Sequence, residues 1–314
     1  MVGAAHRPVA RGRGRLGQDP RTGHLSVRVL VTGAGGQVGR EVTAVLDRKA
    51  ADRKRGPALE TVALDRSALD VSDRDSVLAT VAAFEPDVVI HLAAYTHVDA
   101  CETDQDRAFA VNALSARHLA EAGRLSGAHV CYVSTDYVFD GRSTEPYREW
   151  DATNPLSVYG RSKLGGEAES GPEATIVRTS WVCGDHGSNM VKTVLRLAAA
   201  PGSLRFVDDQ RGSPSVASDL AGMIVRLSLA RLPGVFHVTN QGTGTWYDVA
   251  RSVVEWSGGD PARVEPVSTA EMPRPAPRPA NSVLDNCALR LLGMDLLPDW
   301  HESMAALVAR LTRA

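Results

Sequence analysis

The sequence predicts an α/β protein with a Rossmann-type, doubly wound parallel sheet and a smaller C-terminal substrate lobe. Apolar, strand-like runs alternate with helical periodicity, a Gly-rich turn follows the first run, and later runs end in small or polar residues. Such alternation favours parallel strands joined by right-handed crossovers. Ligands of such sheets bind beyond the carboxyl ends of the strands.

The first strand and helix surround the glycine turn. Residues 27–31 form a short, mostly apolar run, and Gly33, Gly36 and Gly39 follow it at three-residue spacing. Helical periodicity then begins at residue 38. Glycines in this setting allow a tight turn, close approach of a pyrophosphate and close packing of the helix on the sheet. A plain turn is the alternative, but the strand–turn–helix context favours a dinucleotide site.

The next elements continue the alternation. A second strand ends at Asp65-Arg66, and Asp73 is a candidate N-cap. The remaining expected elements are a strand over 86–94, a helix over 108–125 that contains Asn112, a strand over 128–136, a helix over 155–170 and a strand over 174–182. Since strand ends converge in a parallel sheet, the motifs at these ends should meet in one crevice.

Three segments are expected along the chain. Residues 1–26 carry five Arg and one Asp and are expected to be a disordered, Arg/Gly-rich leader. Residues 27–182 would form the dinucleotide-binding core with the catalytic helix. Residues 183–314 would be mainly the substrate lobe, with elements that could return to the core. Within this lobe, the Pro-rich stretch 273–282 could be a flexible linker or a substrate-contacting loop.

Composition narrows the class of protein. The 314 residues are 43% hydrophobic and 23% charged, with a net charge of −2, which is typical of a globular enzyme. No apolar stretch reaches 18 residues, so no membrane span is expected. The leader lacks aromatic residues that would stack on bases, so no nucleic-acid partner is expected. The four Cys are scattered without redox or metal spacing, which favours free thiols, a cytoplasmic location and no metal site.

Two pairs of residues carry the chemistry. Tyr159 and Lys163 are four residues apart, and in a helix they lie on one face. A neighbouring ammonium should lower the pKa of the phenol and make it a proton donor or acceptor near neutral pH. An incidental Lys on an exposed helix is the alternative. Thr135 and Asp136 end a strand, where the hydroxyl could orient a carbonyl oxygen.

The motifs occur in the order TGAGGQVG, HLAAYTHVDACE, VNA, STDYVFDG, PLSVYGRSK, RTSWV and VDDQRGSPS. In this order they resemble the extended short-chain dehydrogenase/reductase superfamily and, within it, the dTDP-4-dehydrorhamnose reductase family. The resemblance runs from about residue 27 to the C-terminus. It implies NAD(P)H-dependent reduction of the C4 keto group of dTDP-4-dehydro-L-rhamnose, a step of dTDP-rhamnose biosynthesis.

The resemblance also assigns residues. The catalytic residues would be Thr135, Tyr159 and Lys163, with Lys163 also holding the nicotinamide ribose. The cofactor would contact Gly33, Gly36, Gln37, Val38, Gly39, Asp70, Val71, Ala93 and Ala94. The substrate would contact Thr135, Asp136 and Trp181, followed by Arg278 and Asn281. Strand-end capping by Asp136 and ordinary core packing of Trp181 are the competing interpretations.

Cofactor choice rests on two adjacent residues. Asp65 could bond a ribose 2′-hydroxyl and favour NADH, whereas Arg66 could bind a 2′-phosphate. We expect NADPH with NADH also accepted. Some members of the resembling family use Mg between subunits. Glu41 could be a ligand, but Ser218 stands where another acid would be needed, so no metal is predicted. A homodimer remains open.

Two other functions are compatible with the motifs. Nucleotide-sugar epimerases use the same Tyr and Lys with tightly held NAD. The reductase-like regulatory subunit of methionine adenosyltransferase shares the fold as a non-catalytic binding partner, against which the intact Thr-Tyr-Lys set argues. Tyr137 stands where a dehydratase of this superfamily has the second residue of an acidic pair, so elimination of water would lack its base.

Overall fold

The computed structural model describes residues 17–18, 25–52 and 58–313. Most of the leader expected over residues 1–26 therefore lies outside the described residues. The strands are β1 (Gly17–Gln18), β2 (Leu25–Thr32), β3 (Ala58–Leu64), β4 (Val88–His91), β5 (His129–Thr135), β6 (Thr175–Thr179), β7 (Val182–Cys183), β8 (Leu204–Val207), β9 (Arg211–Gly212), β10 (Ser215–Val216), β11 (Gly234–His237), β12 (Gly244–Thr245) and β13 (Val264–Val267).

The α-helices are α1 (Gln37–Ala51), α2 (Arg74–Phe84), α3 (Val98–Thr103), α4 (Gln105–Phe109), α5 (Ser115–Ser126), α6 (Val158–Ser170), α7 (Met190–Ala198), α8 (Ala217–Leu229), α9 (Trp246–Trp256), α10 (Cys287–Leu291) and α11 (Trp300–Arg313). A π-helix spans Ala110–Leu114, and short 3-10 helices span Asp136–Val138, Pro261–Arg263 and Thr269–Glu271.

The central sheet is parallel apart from β1. Its strands lie in the order β3-β2-β4-β5-β6-β11, and β1 pairs antiparallel with the first residues of β2. The chain moves outward from β2 to β3, then returns to β4 on the other side. This reversal places a crevice at the carboxyl ends of β2 and β4, where ligands of open α/β sheets bind. The doubly wound fold is confirmed.

Two apolar cores cover the faces of the sheet. On one face, buried residues of the central strands pack with α1 and α8, as at Val31, Leu46 and Ile224. On the other face they pack with α2 and α5, as at Leu30 and Leu119. Because β4 is covered on both faces, it is buried along its whole length, and three of its four residues are apolar.

A third core lies under the later part of the chain. It joins α7, α9, α11 and the parallel pair β8–β13, and Trp300 is buried at its centre. Elements after residue 183 also enter the main sheet, since β11 pairs with β6 and α8 packs on α1. The later half of the chain therefore contributes to both cores.

Local signals set several helix ends. Asp73 caps α2, accepting hydrogen bonds from the backbone N–H groups of Asp75 and Ser76, as predicted. The helix expected over 155–170 begins only at Val158, because the Ser157 side chain caps it by accepting from the Gly160 N–H. The helix expected over 108–125 is present, but it begins earlier, at Gln105, and its turn around Asn112 is a π-helix. No helix in the described part of the chain is long and apolar enough to cross a membrane.

Candidate active site

The glycine turn between β2 and α1 is shaped for close backbone approach. Gly33 has a φ of 72°, and a Cβ there would lie 2.5 Å from the Ala93 backbone nitrogen. A Cβ at Gly39 would collide with the Gly33 carbonyl oxygen. A side chain at either position would therefore force the turn apart. Gly36 is the N-cap of α1, and the free N–H groups of that helix end form a site for an anion such as a pyrophosphate.

Two cavities meet at this turn. One has a volume of about 510 Å³ and the other about 380 Å³, and both are lined by Gly33, Gly36, Leu92 and Ala94. The larger cavity also contains predicted site residues at Gln37, Val38, Gly39, Thr135, Asp136, Tyr159, Lys163 and Trp181. The smaller cavity contains those at Asp65, Arg66, Asp70, Val71 and Ala93. The fold thus brings most of the predicted site residues together along one crevice.

The smaller cavity is acidic at its rim. Oδ1 of Asp65 accepts from the Ser67 backbone N–H at 2.9 Å and from the Ser67 hydroxyl at 2.6 Å. Asp70 accepts the same pair of bonds from Ser72. These bonds hold the pKa of each carboxyl below its usual range. Arg66 lines the same cavity, so an anion and a hydroxyl both have a partner there.

Thr135 and Asp136 lie at the carboxyl end of β5. The Thr135 hydroxyl donates to Oδ1 of Asp136 at 3.0 Å and accepts from the Tyr137 backbone N–H at 3.2 Å. Asp136 is only 2% exposed, and its Oδ2 accepts from the Ser180 hydroxyl at 2.9 Å. Burial raises the pKa of Asp136 to about 6, although hydrogen bonds from Ser282, Ser180 and Thr135 oppose the rise. Both oxygens of this carboxyl thus already bind protein hydroxyls.

Tyr159 lies in the second position of α6, with its ring in the larger cavity. Burial raises the pKa of its phenol, and a hydrogen bond with Thr135 only partly offsets the rise. The Tyr137 ring meets the Tyr159 ring edge-on, with centroids 5.8 Å apart. These contacts hold the phenol protonated and fixed in place at neutral pH.

Lys163 follows one turn later on the same helix and is fully buried. Its Nζ donates to the Val133 carbonyl oxygen at 2.7 Å and lies 4.0 Å from the centroid of the Tyr132 ring. Burial lowers its pKa to about 7. The expectation that Lys163 lowers the pKa of Tyr159 is therefore wrong for this structure, because desolvation dominates at both groups and the ammonium bonds the sheet.

Asn112 in the π-helix orders the base of the site. Its Oδ1 accepts from the Tyr95 backbone N–H at 2.8 Å, and its Nδ2 donates to the Ser162 hydroxyl at 2.9 Å. Ser162 lies between Tyr159 and Lys163 on α6. The π-helix thus ties α6 to the chain that follows β4. Wider turns of this kind often occur at functional sites.

Trp181 lies just beyond β6 with a φ of 47°, a left-handed conformation that is rare for a bulky residue. Its indole stacks on that of Trp246, with centroids 3.8 Å apart and planes 6° from parallel. Trp246 lines the larger cavity and was not identified from the sequence. No local motif marks it, since it is the first residue of α9 and reaches the site only through the tertiary fold.

Arg278 and Asn281 line neither cavity. Arg278 forms an ion pair with Asp99 and donates to the Ala276 carbonyl oxygen at 2.6 Å. Asn281 donates to the carbonyl oxygens of Ser143 and Glu145. Arg278 also bonds the Tyr137 side chain, which borders the larger cavity. The Pro-rich segment is thus fastened beside the site by both residues.

Glu41, the residue considered for a metal, lies 3.8 Å from the His186 ring. Among residues 25–52 and 58–313, no group of three or more His, Cys, Asp or Glu side chains is arranged to hold a metal ion.

Comparison with known proteins gives concordant results. The family model described as the RmlD substrate binding domain matches residues 27–313. The chain is 40% identical over 307 residues to a dTDP-4-dehydrorhamnose reductase of Mycolicibacterium smegmatis, covering 95% of this chain and 91% of the relative. It is also 40% identical over 285 residues to a probable dTDP-4,6-dihydroxy-2-methyloxan-3-one 4-ketoreductase of Streptomyces antibioticus, covering 88% and 93%.

A solved structure is similarly close. The dTDP-4-dehydrorhamnose reductase of Bacillus anthracis in complex with NADP is 36% identical, with a TM-score of 0.85. The similarity covers 91% of this chain and 99% of that chain.

Proposed function

The chain belongs to the RmlD substrate-binding-domain family, and we propose that it is an NADPH-dependent reductase of the C4 keto group of dTDP-4-dehydro-L-rhamnose, forming dTDP-L-rhamnose. The observation that carries the proposal is that Tyr159, Thr135 and the glycine turn line one cavity. A proton donor, a carbonyl-orienting hydroxyl and a dinucleotide cradle are the parts that a ketone reductase needs.

The cavities fit a dinucleotide. The glycine turn has no room for side chains, the N-terminus of α1 faces it, and the two cavities continue to either side. The pyrophosphate would lie over Gly33, Gly36 and Gly39, and the adenosine half would lie toward Asp70 and Val71. Arg66 would bind the 2′-phosphate, while Asp65 would accept from a 2′-hydroxyl and allow NADH. NADPH bound there supplies the hydride that reduces C4.

Tyr159 completes the reduction by proton transfer. Reduction places negative charge on the C4 oxygen, and the phenol of Tyr159 donates a proton to it. A general acid must carry its proton before the step, and the burial that raises the pKa of Tyr159 keeps the phenol in this form. The Thr135 hydroxyl, which donates to Asp136 in this structure, would turn its proton to the carbonyl oxygen and orient that oxygen toward Tyr159.

Lys163 and Asp136 support these groups. We assign Lys163 to binding of the nicotinamide ribose, because its side chain lines the larger cavity. Asp136 is assigned to a substrate hydroxyl, but both of its oxygens already accept bonds from Thr135 and Ser180. In this structure Asp136 therefore orients the Thr135 hydroxyl, by accepting its proton in a hydrogen bond. Arg278 and Asn281 would act on the substrate through the segment that they fasten.

The remaining assignments extend this proposal. Residues 27–182 would serve mainly as the cofactor-binding core, and residues 183–314 would supply most of the substrate lobe together with β11 and α8. The only partners proposed are small nucleotide sugars and NADPH, and we propose a cytoplasmic location for the enzyme. A homodimer is compatible with this function.

A second candidate is a reductase of a different dTDP-linked keto sugar. The similarity to the Streptomyces antibioticus 4-ketoreductase favours keeping it, because that relative is as similar as the Mycolicibacterium smegmatis enzyme. The same Tyr and Thr would serve either substrate, so the sugar must be decided by experiment.

Product analysis tests the proposal. The purified protein is incubated with dTDP-4-dehydro-L-rhamnose and NADPH, the absorbance of NADPH is followed, and the product is identified by NMR. We expect stoichiometric oxidation of NADPH and formation of dTDP-L-rhamnose. Epimerised product without net loss of NADPH, or no product at all, would contradict the proposal.

A further inference from the structure

The indole of Trp181, which the sequence assigns to substrate, contacts protein on both of its faces. Trp246 stacks on one face at 3.8 Å between centroids. On Gly212, a built Cβ would lie nearest Cε2 of Trp181, with Nε1 and Cζ2 both 2.7 Å away. The bonded neighbours of Cε2, Nε1 and Cζ2, project beyond it at the ring edge. An atom that approached in the plane of the ring would therefore lie nearer to them than to Cε2. Since the built Cβ lies nearest to Cε2, Gly212 lies against a face of the ring. Because Trp246 occupies the first face, Gly212 must contact the second.

Protein contacts on both faces leave Trp181 less of its ring to offer to the larger cavity, which it also lines. Trp246, by contrast, has one face on Trp181 and still lines the cavity.

Trp246 is also held firmly. It is the first residue of α9, whose N-terminus carries a capping box in which Thr245 and Asp248 bond each other's backbone N–H groups. The Asp248 carboxylate accepts from the Thr245 N–H at 2.9 Å. The capping box fixes the backbone at Trp246, and the stack on Trp181 restrains its ring.

We infer that Trp246 is a substrate-binding residue whose indole contacts the apolar C5–C6 side of the deoxysugar. This inference rests on the proposed function and names one further contact in that site. In a 4-keto-6-deoxy sugar the methyl-bearing C5 is adjacent to the reacting C4. When C4 is held by Thr135 and Tyr159, this apolar corner lies inside the same cavity and meets its aromatic wall. Trp181 then supports Trp246 from behind, and Gly212 leaves room for that support.

The test compares two ligands that differ only by the sugar. Binding of dTDP-L-rhamnose and of dTDP is measured by isothermal titration calorimetry on the full chain with NADP present. Trp246→Ala should lower the affinity for dTDP-L-rhamnose about tenfold, the scale of a lost aromatic contact. The affinity for dTDP should stay within twofold of wild type. Trp246→Phe should retain most of the affinity. Trp150→Ala is the matched control, since Trp150 is 61% exposed and lines neither cavity.

Binding of NADPH within twofold of wild type verifies that each variant is folded. If Trp246→Ala fails this check, Trp246→Leu decides, because it keeps bulk in the lobe but removes the flat ring. Unchanged affinity for dTDP-L-rhamnose in a folded variant would overturn the inference, and so would an equal loss for dTDP.

Failure of the proposed function gives a different result. In that case wild-type protein does not turn over dTDP-4-dehydro-L-rhamnose. The inference is then decided by the affinities of wild type and Trp246→Ala for dTDP-L-rhamnose and dTDP. Wild-type protein that binds neither ligand contradicts both.

Discussion

Lys163 donates a hydrogen bond from Nζ to the carbonyl oxygen of Val133, over 2.7 Å. Lys163, which lies four residues after Tyr159 on α6, is thus bound to strand β5 of the sheet. Its environment, a buried carbonyl and the Tyr132 ring, solvates an ammonium poorly, so its pKa falls to about 7. The protonation of Lys163 is therefore coupled to folding.

Lys163→Met should change the pH dependence of stability. Between about pH 7 and 10.5, unfolded Lys163 binds a proton that folded Lys163 has lost, so its contribution makes the free energy of unfolding rise with pH. The variant lacks this contribution. Across that range, urea unfolding should give a free energy of unfolding that rises less, or falls more, with pH in Lys163→Met than in wild type. Identical slopes would refute the coupling. Lys192→Met, at a lysine on α7 that bonds backbone carbonyls in a more exposed setting, is the control.

Tyr159→Phe should lower kcat at least 10²-fold, the scale of lost general-acid catalysis. The affinity for NADPH should stay within a few-fold, since the ring is kept. Stopped-flow measurement of NADPH oxidation separates the chemical step from binding. Tyr247→Phe, outside both cavities, should behave as wild type. Near-normal turnover in Tyr159→Phe would remove the proposed acid.

Thr135→Val removes a hydroxyl that donates to Asp136 and accepts from the Tyr137 N–H. Loss of one orienting hydrogen bond should reduce kcat by about 10- to 10³-fold and spare NADPH binding. Thr135→Ser should restore most of the rate. Steady-state kinetics with both variants tests this, and a Ser variant as slow as the Val variant would point to packing instead.

Asp136→Asn should alter stability at acidic pH. Folded Asp136 has a pKa of about 6 against 3.8 for the ordinary group, so the folded state binds more protons between these values. Its contribution therefore makes the free energy of unfolding fall as pH rises from about 4 to 6. Asparagine does not titrate, and the fall should be smaller in the variant. Thermal melts at intervals across this range measure it, and parallel profiles would show that Asp136 does not titrate there.

Arg66→Ala should lower the affinity for NADPH more than the affinity for NADH, because only NADPH carries the 2′-phosphate that the guanidinium would bind. Fluorescence titration should show about a tenfold loss for NADPH and a change within twofold for NADH. Arg48→Ala, in the last turn of α1, is the control. An equal loss for both cofactors would contradict the assignment of Arg66.

The sheet and the glycine turn could be predicted because their signals are local. An apolar run followed by Gly33 and a helical period defines one unit, and repetition of such units defines the sheet. Strand partners are a different matter, since nothing near Gly234 indicates that β11 pairs with β6. The π-helix around Asn112 was also missed, because its helical periodicity differs little from that of its neighbours.

The residues that line the candidate site could be predicted better than their environment. Residue types and spacing identified Tyr159, Lys163 and Thr135, but the pKa of each group depends on burial, which spacing does not report. The direction of the effect on Tyr159 was wrong for that reason. Trp246 could not be found, since its contact with Trp181 depends on the packing of α9 against the strand ends.

The position of β11 has a consequence for how the chain is made. The strand that covers the edge of β6 is translated more than fifty residues after β6 itself, with α7 and α8 in between. A nascent chain released before Gly234 therefore has β6 as a bare edge, open to pairing with other chains. Premature termination in this interval should yield aggregates rather than a soluble cofactor-binding fragment.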